Sequence, residues 1–201
     1  MILQIHEENP QGRFIEKAVD ILDQGGVILY PTDTVYAYGC DIAQKDAIER
    51  IYHLRAIERN KPLSFIFSDI SMMHDYVRNM PDQAFKIMKR ALPGPYTFIF
   101  QASKLVPKVV LTRQKTIGVR IPDCRIALAI VEKLGRPLLS TSVPSSDGGY
   151  IVEPEQVEKV YRNQLDLVID CGKKVSEPST VIDFSAGRME VLREGKGPID
   201  F

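Results

Sequence analysis

No stretch of this sequence approaches the roughly 20 consecutive apolar residues that a membrane-spanning helix needs. The first residues, Met1-Ile-Leu-Gln-Ile-His-Glu-Glu, carry no basic segment and no apolar run of signal-peptide length, so a cytoplasmic location without a membrane partner is expected. An excess of charge is lacking too: 26 Lys and Arg stand against 26 Asp and Glu. Formal neutrality removes the simplest argument for a nucleic-acid ligand, although a neutral chain can still gather its positive charge on one face. Cysteine is scarce. Cys40, Cys124 and Cys171 are odd in number and far apart, which excludes a disulfide framework and a CxxC metal site and fits a reducing compartment. His6, His53 and His74 form no HExxH or similar ligand spacing, so no structural metal is expected. Both common phosphate loops, G-x-x-x-x-G-K-[ST] and G-x-G-x-x-G, are missing, as is the G-x-S-x-G elbow of an acyl enzyme.

What is present reads as an ordinary globular chain, 44 % hydrophobic and 26 % charged, which excludes one dominated by disorder. Its 201 residues suit one domain, expected over 1–201 with a core from about residue 14. Residues 2–6 alternate as a strand. Phe14, Ile15, Ala18, Val19, Ile21 and Leu22 fall at helical spacing within 11–24, closed by Gly25-Gly26. Strands are expected at 27–30, 63–67, 96–101, 116–121, 137–142, 166–170, 180–184 and 189–193. Helices are expected at 45–55, 82–90, 123–134 and 154–162, with a polar loop at 144–149. The alternation, with short hairpin spacings beside longer crossovers, predicts an α/β mixed sheet with helices packed on it.

Polar clusters stand at the expected strand ends, where open α/β sheets gather ligands. The hydroxyls and carboxylate of Thr32-Asp33-Thr34 suit either a polar ligand or a capped turn. Arg55, Arg59 and Lys61 suit either a triphosphate or a solvated helix end. Arg120 lies amid apolar strand residues, a costly place for an unpaired charge, so it should meet a carboxylate from the protein or from a ligand. Ser140-Thr141-Ser142 can donate to phosphate or carboxylate oxygens or can form a plain turn.

Taken together, Gly25-Gly26, Tyr30-Pro-Thr-Asp-Thr-Val-Tyr36, Asn60-Lys-Pro-Leu63, Pro93-Gly-Pro-Tyr-Thr97, Val119-Arg-Ile-Pro122, Ser140-Thr-Ser142, Pro178-Ser-Thr-Val-Ile-Asp183 and Leu192-Arg-Glu-Gly195 resemble, in order and spacing, the YrdC-like family, and within it the YciO branch. The resemblance implies a twisted mixed parallel and antiparallel sheet with flanking helices around a concave, positively lined cavity. It implies the chemistry of a threonylcarbamoyl-AMP synthase. ATP, L-threonine and bicarbonate would be joined to L-threonylcarbamoyl-adenylate with release of pyrophosphate, for tRNA modification, with Mg²⁺ beside the nucleotide. By that resemblance Thr32 and Arg120 would hold the amino acid, with Thr34, Ser140 and Ser179 completing its pocket. Arg55, Lys61, Ser142 and Arg193 would face the nucleotide. No side chain is assigned a covalent or acid–base role. Transfer RNA or double-stranded RNA and tRNA-modification proteins are the implied partners.

Two positions depart from the family pattern. Its Lys-x-Arg signature reads Arg55-Ala56-Ile57, and its Ser-x-Asn reads Ser142-Val143-Pro144. Ile57 carries no charge, and Pro144 offers neither an amide side chain nor an N–H. Arg59, two residues on, is the nearest substitute cation. Losing one charge-stabilising donor can cost about 10²–10³ in rate. The second expectation is therefore a non-synthase relative of the YciO type that binds nucleotide or double-stranded RNA.

Overall fold

Side chains alternate between the two faces of a strand, and this chain buries apolar residues on both. The computed structural model describes residues 1–56, 63–111, 113–145, 148–154, 164–174 and 177–201. The elements, in order, are β1 (Ile2–Gln4), α1 (Gly12–Asp23), β2 (Ile28–Tyr30), β3 (Ala37–Asp41), α2 (Lys45–Arg55), β4 (Ser64–Ile66), α3 (Ile70–His74), β5 (Val77–Arg78), α4 (Asp82–Ala91), β6 (Tyr96–Ala102), β7 (Thr116–Arg120), α5 (Arg125–Leu134), β8 (Leu138–Ser142), β9 (Leu167–Asp170), β10 (Thr180–Asp183) and β11 (Glu190–Arg193).

The strands form one sheet in the order β1-β9-β2-β3-β8-β4-β7-β6-β10-β11, with β5 added beside β6. Pairing is parallel at β1/β9, β9/β2, β4/β7 and β6/β10. It is antiparallel at β2/β3, β3/β8, β4/β8, β5/β6, β6/β7 and β10/β11. The expected α/β mixed sheet is therefore observed. No helix among the described residues is long and apolar enough to cross a membrane.

One core lies on the face that carries Leu29, Tyr38, Phe65, Phe98, Phe100, Val119, Leu139 and Ile182, covered by α2 and α4. The other lies on the face of Ile28, Tyr30, Ile66, Leu138 and Ile169. There α1 contributes Ile15, Ala18, Val19 and Leu22, and α5 contributes Ile126, Ala127, Ile130, Val131 and Leu134. Both sets follow the i, i+3, i+4, i+7 rule of a helix with one apolar stripe. The fully buried Asp41 ends β3 and pairs with Arg136, which also reaches Asp23. That network ties β3, α1 and the end of α5 together.

Three elements were not expected from the sequence. Ala37-Tyr-Gly-Cys-Asp41 is a five-residue strand buried at every position, so it shows no alternation and carries residues that strands disfavour. The short α3 and β5 have too few residues to set a period. The expected helix at 154–162 lies, from residue 155 on, outside the described residues.

The three cysteines are free, with Cys40 and Cys124 in the cores. Burial pushes the Cys124 thiol up to about 11, raises Cys40 further still, and lifts Cys171 as well. Since the thiolate is the reactive form, iodoacetamide at pH 7.5 should modify Cys40 and Cys124 slowly in the native protein and quickly in urea. Rapid native labelling of either, read by mass spectrometry, would contradict their placement.

Candidate active site

The second sheet face is only partly covered by α1 and α5. Where those helices stop, a cavity of about 280 Å³ opens over β8, β4, β7, β6 and β10. Strand periodicity decides what it meets. Ser140 and Ser142 alternate with Leu139, Ser64 with Phe65, Gly118 with Ile117 and Val119, Thr97 and Ile99 with Phe98, and Val181 with Ile182. Register then aligns them. Ser64 pairs with both Ser140 and Gly118, and Gly118 pairs with Ile99, giving a row across the floor.

Two glycines make that floor possible. A Cβ at Gly118 would stand 3.0 Å from Ser64 Oγ and 3.1 Å from Thr97 Cγ2, so its absence is what keeps the middle of the row low. A Cβ at Gly39, opposite Ser140, would stand 2.8 Å from Tyr30 Cε1. The bare backbone lets the Tyr30 ring cross over, and its hydroxyl donates to Ser140 Oγ at 2.6 Å. Burial pushes the Tyr30 phenol far above its ordinary value, so it stays a donor. Ser140 therefore accepts from Tyr30 and retains its own proton for a ligand in the cavity.

Arg120 ends β7 with its side chain 7 % exposed. Its Nη2 donates to Asp33 Oδ1 at 2.9 Å and to Thr34 Oγ1 at 3.1 Å. Asp33 comes from the β2–β3 connection, and its other oxygen accepts from the Asp123 N–H at 3.1 Å. Thr32 Oγ1 donates to the Val35 carbonyl at 2.7 Å, which leaves Thr34 to donate to Thr32 across 3.0 Å while it accepts from Arg120. The polar turn thus helps to orient the Arg120 guanidinium through Asp33 and Thr34. Arg120 Nε, in contrast, is buried without a partner, in a side chain that lines the cavity. A buried orphan donor on a cation costs free energy unless something accepts from it. A carboxylate or another oxyanion in the cavity is the chemistry that would do so.

The rim adds two more guanidiniums. Arg55 closes α2 and donates to Thr141 Oγ1 at 3.2 Å, and Ala56 follows in the left-handed region (φ 48°), which turns the chain sharply at the signature position. Arg193 ends β11 and grips the Ser179 carbonyl with Nε and Nη2, at 3.0 and 2.8 Å. Ser179 Oγ in turn shares a 2.8 Å hydrogen bond with Thr97 Oγ1. Arg55, Arg120 and Arg193 line the cavity, and no carboxylate does so among the described residues. Of these three, Arg120 is paired with Asp33.

Of the residues expected at a site, Arg55, Arg120, Ser140, Ser142, Ser179 and Arg193 meet around this one cavity. Thr32 and Thr34 lie behind Arg120, 0 % and 1 % exposed, and reach the cavity only through it. Ile57, Arg59 and Lys61 are outside the described residues. Pro144 is exposed and forms an isolated bridge with Tyr150. Ser64, Thr97, Gly118 and Tyr150 line the cavity and were not assigned from the sequence as site residues. Strand parity could have found the first three, because each sits two residues from another inward residue. Tyr150 has no such signal.

A family model named Sua5_yciO_yrdC and described as "Telomere recombination" matches residues 20–195. The chain is 41 % identical over 197 residues to the protein YciO of Escherichia coli, covering 97 % of this chain and 95 % of that one. The crystal structure of E. coli YciO superimposes with a TM-score of 0.92 at 40 % identity, over 100 % of this chain and 98 % of that one. A threonylcarbamoyl-AMP synthase of Pyrococcus abyssi is 26 % identical over 201 residues, all of this chain but 59 % of the longer protein. The crystal structure of P. abyssi Sua5 complexed with L-threonine gives a TM-score of 0.89 at 26 % identity, over 97 % of this chain and 57 % of that one. With a matching sequence model, a matching fold and a cavity built from the shared motifs, the chain belongs to the Sua5/YciO/YrdC family.

Proposed function

We propose that this protein is a threonylcarbamoyl-AMP synthase-like nucleotidyltransferase that joins L-threonine, bicarbonate and ATP. The observation that carries the proposal is Arg120: a buried guanidinium whose Nε has no hydrogen-bond partner, in a side chain that lines a cavity free of carboxylates among the described residues, suits an anionic ligand. The solved relative bound to L-threonine supports an amino-acid carboxylate as that anion.

In this reading the threonine carboxylate pairs with Arg120, and the Ser140 and Ser64 hydroxyls serve the same ligand. The threonine amine and bicarbonate give a carbamate with loss of water. A carbamate oxygen then attacks the α-phosphorus of ATP, a new P–O bond forms, and the bond to pyrophosphate breaks. Positioning and charge stabilisation supply most of the catalysis in such a phosphoryl-type transfer, and Arg55, Arg193 and Ser142, which line the cavity, are the groups suited to hold a nucleotide's phosphates. Mg²⁺ would supply neutralisation of phosphate charge. It would arrive on the nucleotide.

A second reading has one observation in its favour. Pro144 is turned to solvent at the position where the family pattern carries an asparagine. A protein that binds nucleotide without forming the adenylate would keep the cavity and lose that donor. Pyrophosphate release separates the two. With ATP, Mg²⁺, bicarbonate and L-threonine, the synthase reading expects release that stops when threonine or bicarbonate is omitted. Measurable ATP binding with no release would overturn it and leave the second reading.

A further inference from the structure

We infer that Tyr150 is the stacking platform for the nucleobase, a role that rests on the nucleotide reading above. In that reading the three guanidiniums are engaged with phosphate and carboxylate oxygens, and the cavity's hydroxyls offer hydrogen bonds but no ring face to a base. Tyr150 is the one aromatic residue lining the cavity among the described residues, and it is half-buried, with surface left for a ligand.

Its backbone is fixed. The Val143 N–H donates to the Tyr36 carbonyl at 3.1 Å, the Ile151 N–H to the Val143 carbonyl at 2.9 Å, and the Tyr36 N–H to the Ile151 carbonyl at 3.3 Å. Val143 and Ile151 are buried in the first core. Between them Pro144 and Tyr150 face each other across the bridge, and the Ser145 N–H closes the turn on the Gly149 carbonyl at 3.0 Å. The departure at Pro144 and Tyr150 are thus opposite each other in one bridge. The hydrogen bonds of Val143 and Ser145 on either side of Pro144 hold this bridge, and a ring at 150 would supply a stacking contact that an amide at 144 would not.

Stacking accepts every base, because each has a π-face, so ATP and GTP should bind alike. The chain contains no tryptophan, which makes Tyr150→Trp a single reporter. Its emission should be quenched by ATP and by GTP but not by inorganic tripolyphosphate. In calorimetric titrations Tyr150→Ala should weaken ATP roughly 5- to 150-fold, the range for loss of one base–aromatic stack, and leave tripolyphosphate affinity unchanged. Tyr150→Phe should retain ATP affinity. Equal weakening of ATP and tripolyphosphate would make Tyr150 a structural support and overturn the inference, as would ATP binding indifferent to Tyr150→Ala. Failure of the unsubstituted protein to bind any nucleotide would overturn the nucleotide reading itself, and this inference with it.

Discussion

Replacing Arg120 by alanine should lower threonine-dependent pyrophosphate release at least about 10²-fold, the scale for one lost charge-stabilising group, and should also cost folding about 3–5 kcal/mol. Both effects follow from one ion pair. The Arg120 and Asp33 side chains are 7 % and 5 % exposed and share a 2.9 Å contact, so removing the cation leaves a largely buried carboxylate without its counter-charge. Among the described residues the Asp123 N–H is the other donor to the Asp33 side chain. Thr34 loses its donor as well. Stability and ligand binding can be told apart. Replacing both members, Asp33→Asn with Arg120→Leu, removes the stranded charge and should recover most of the urea midpoint while release stays lost. If the double variant regained release, Arg120 would be a folding element alone. If Arg120→Ala left both quantities unchanged, the buried pair would not exist as described.

Gly118→Val should abolish ligand binding to the cavity with a smaller effect on the fold. Even one Cβ would stand 3.0 Å from Ser64 Oγ and 3.1 Å from Thr97 Cγ2. A valine adds two methyls above that point, in the middle of the row that joins Ser140 to Ile99. Overpacking of this kind costs about 1–3 kcal/mol. Displacing a bound substrate by about 1 Å can cost roughly 10²-fold in rate, so release should fall by at least that factor while the far-ultraviolet circular dichroism stays native. Retained activity would mean that the ligand does not rest on this floor.

Much of this was legible in the sequence because the relevant signals are local. The helical stripes of α1 and α5 follow from the spacing of Ile15, Ala18, Val19 and Leu22 and of Ile126, Ile130 and Leu134. Arg120 could be singled out because a charge amid Val119 and Ile121 must be answered by another group. Its protein partner could not be named, because Asp33 lies 87 positions away and only the order of β2, β3, β8, β4 and β7 brings the two together. The strand β3 was hidden by burial on both faces, which erases the period of two. Thr32 and Thr34 show the reverse case: their motif is conspicuous, yet their hydroxyls are spent on Val35, on each other and on Arg120. Tyr150 carries no pattern at all and owes its place to the bridge with Pro144.

The most direct test of the central claim is to incubate the purified protein with ATP, Mg²⁺, L-threonine and ¹³C-bicarbonate and to weigh the nucleotide products. The synthase reading predicts threonylcarbamoyl-adenylate carrying a single labelled carbon, absent when threonine is omitted and absent with Arg120→Ala. Bound ATP that yields no labelled adenylate would contradict it and would make this cavity a nucleotide site without the carbamoyl chemistry.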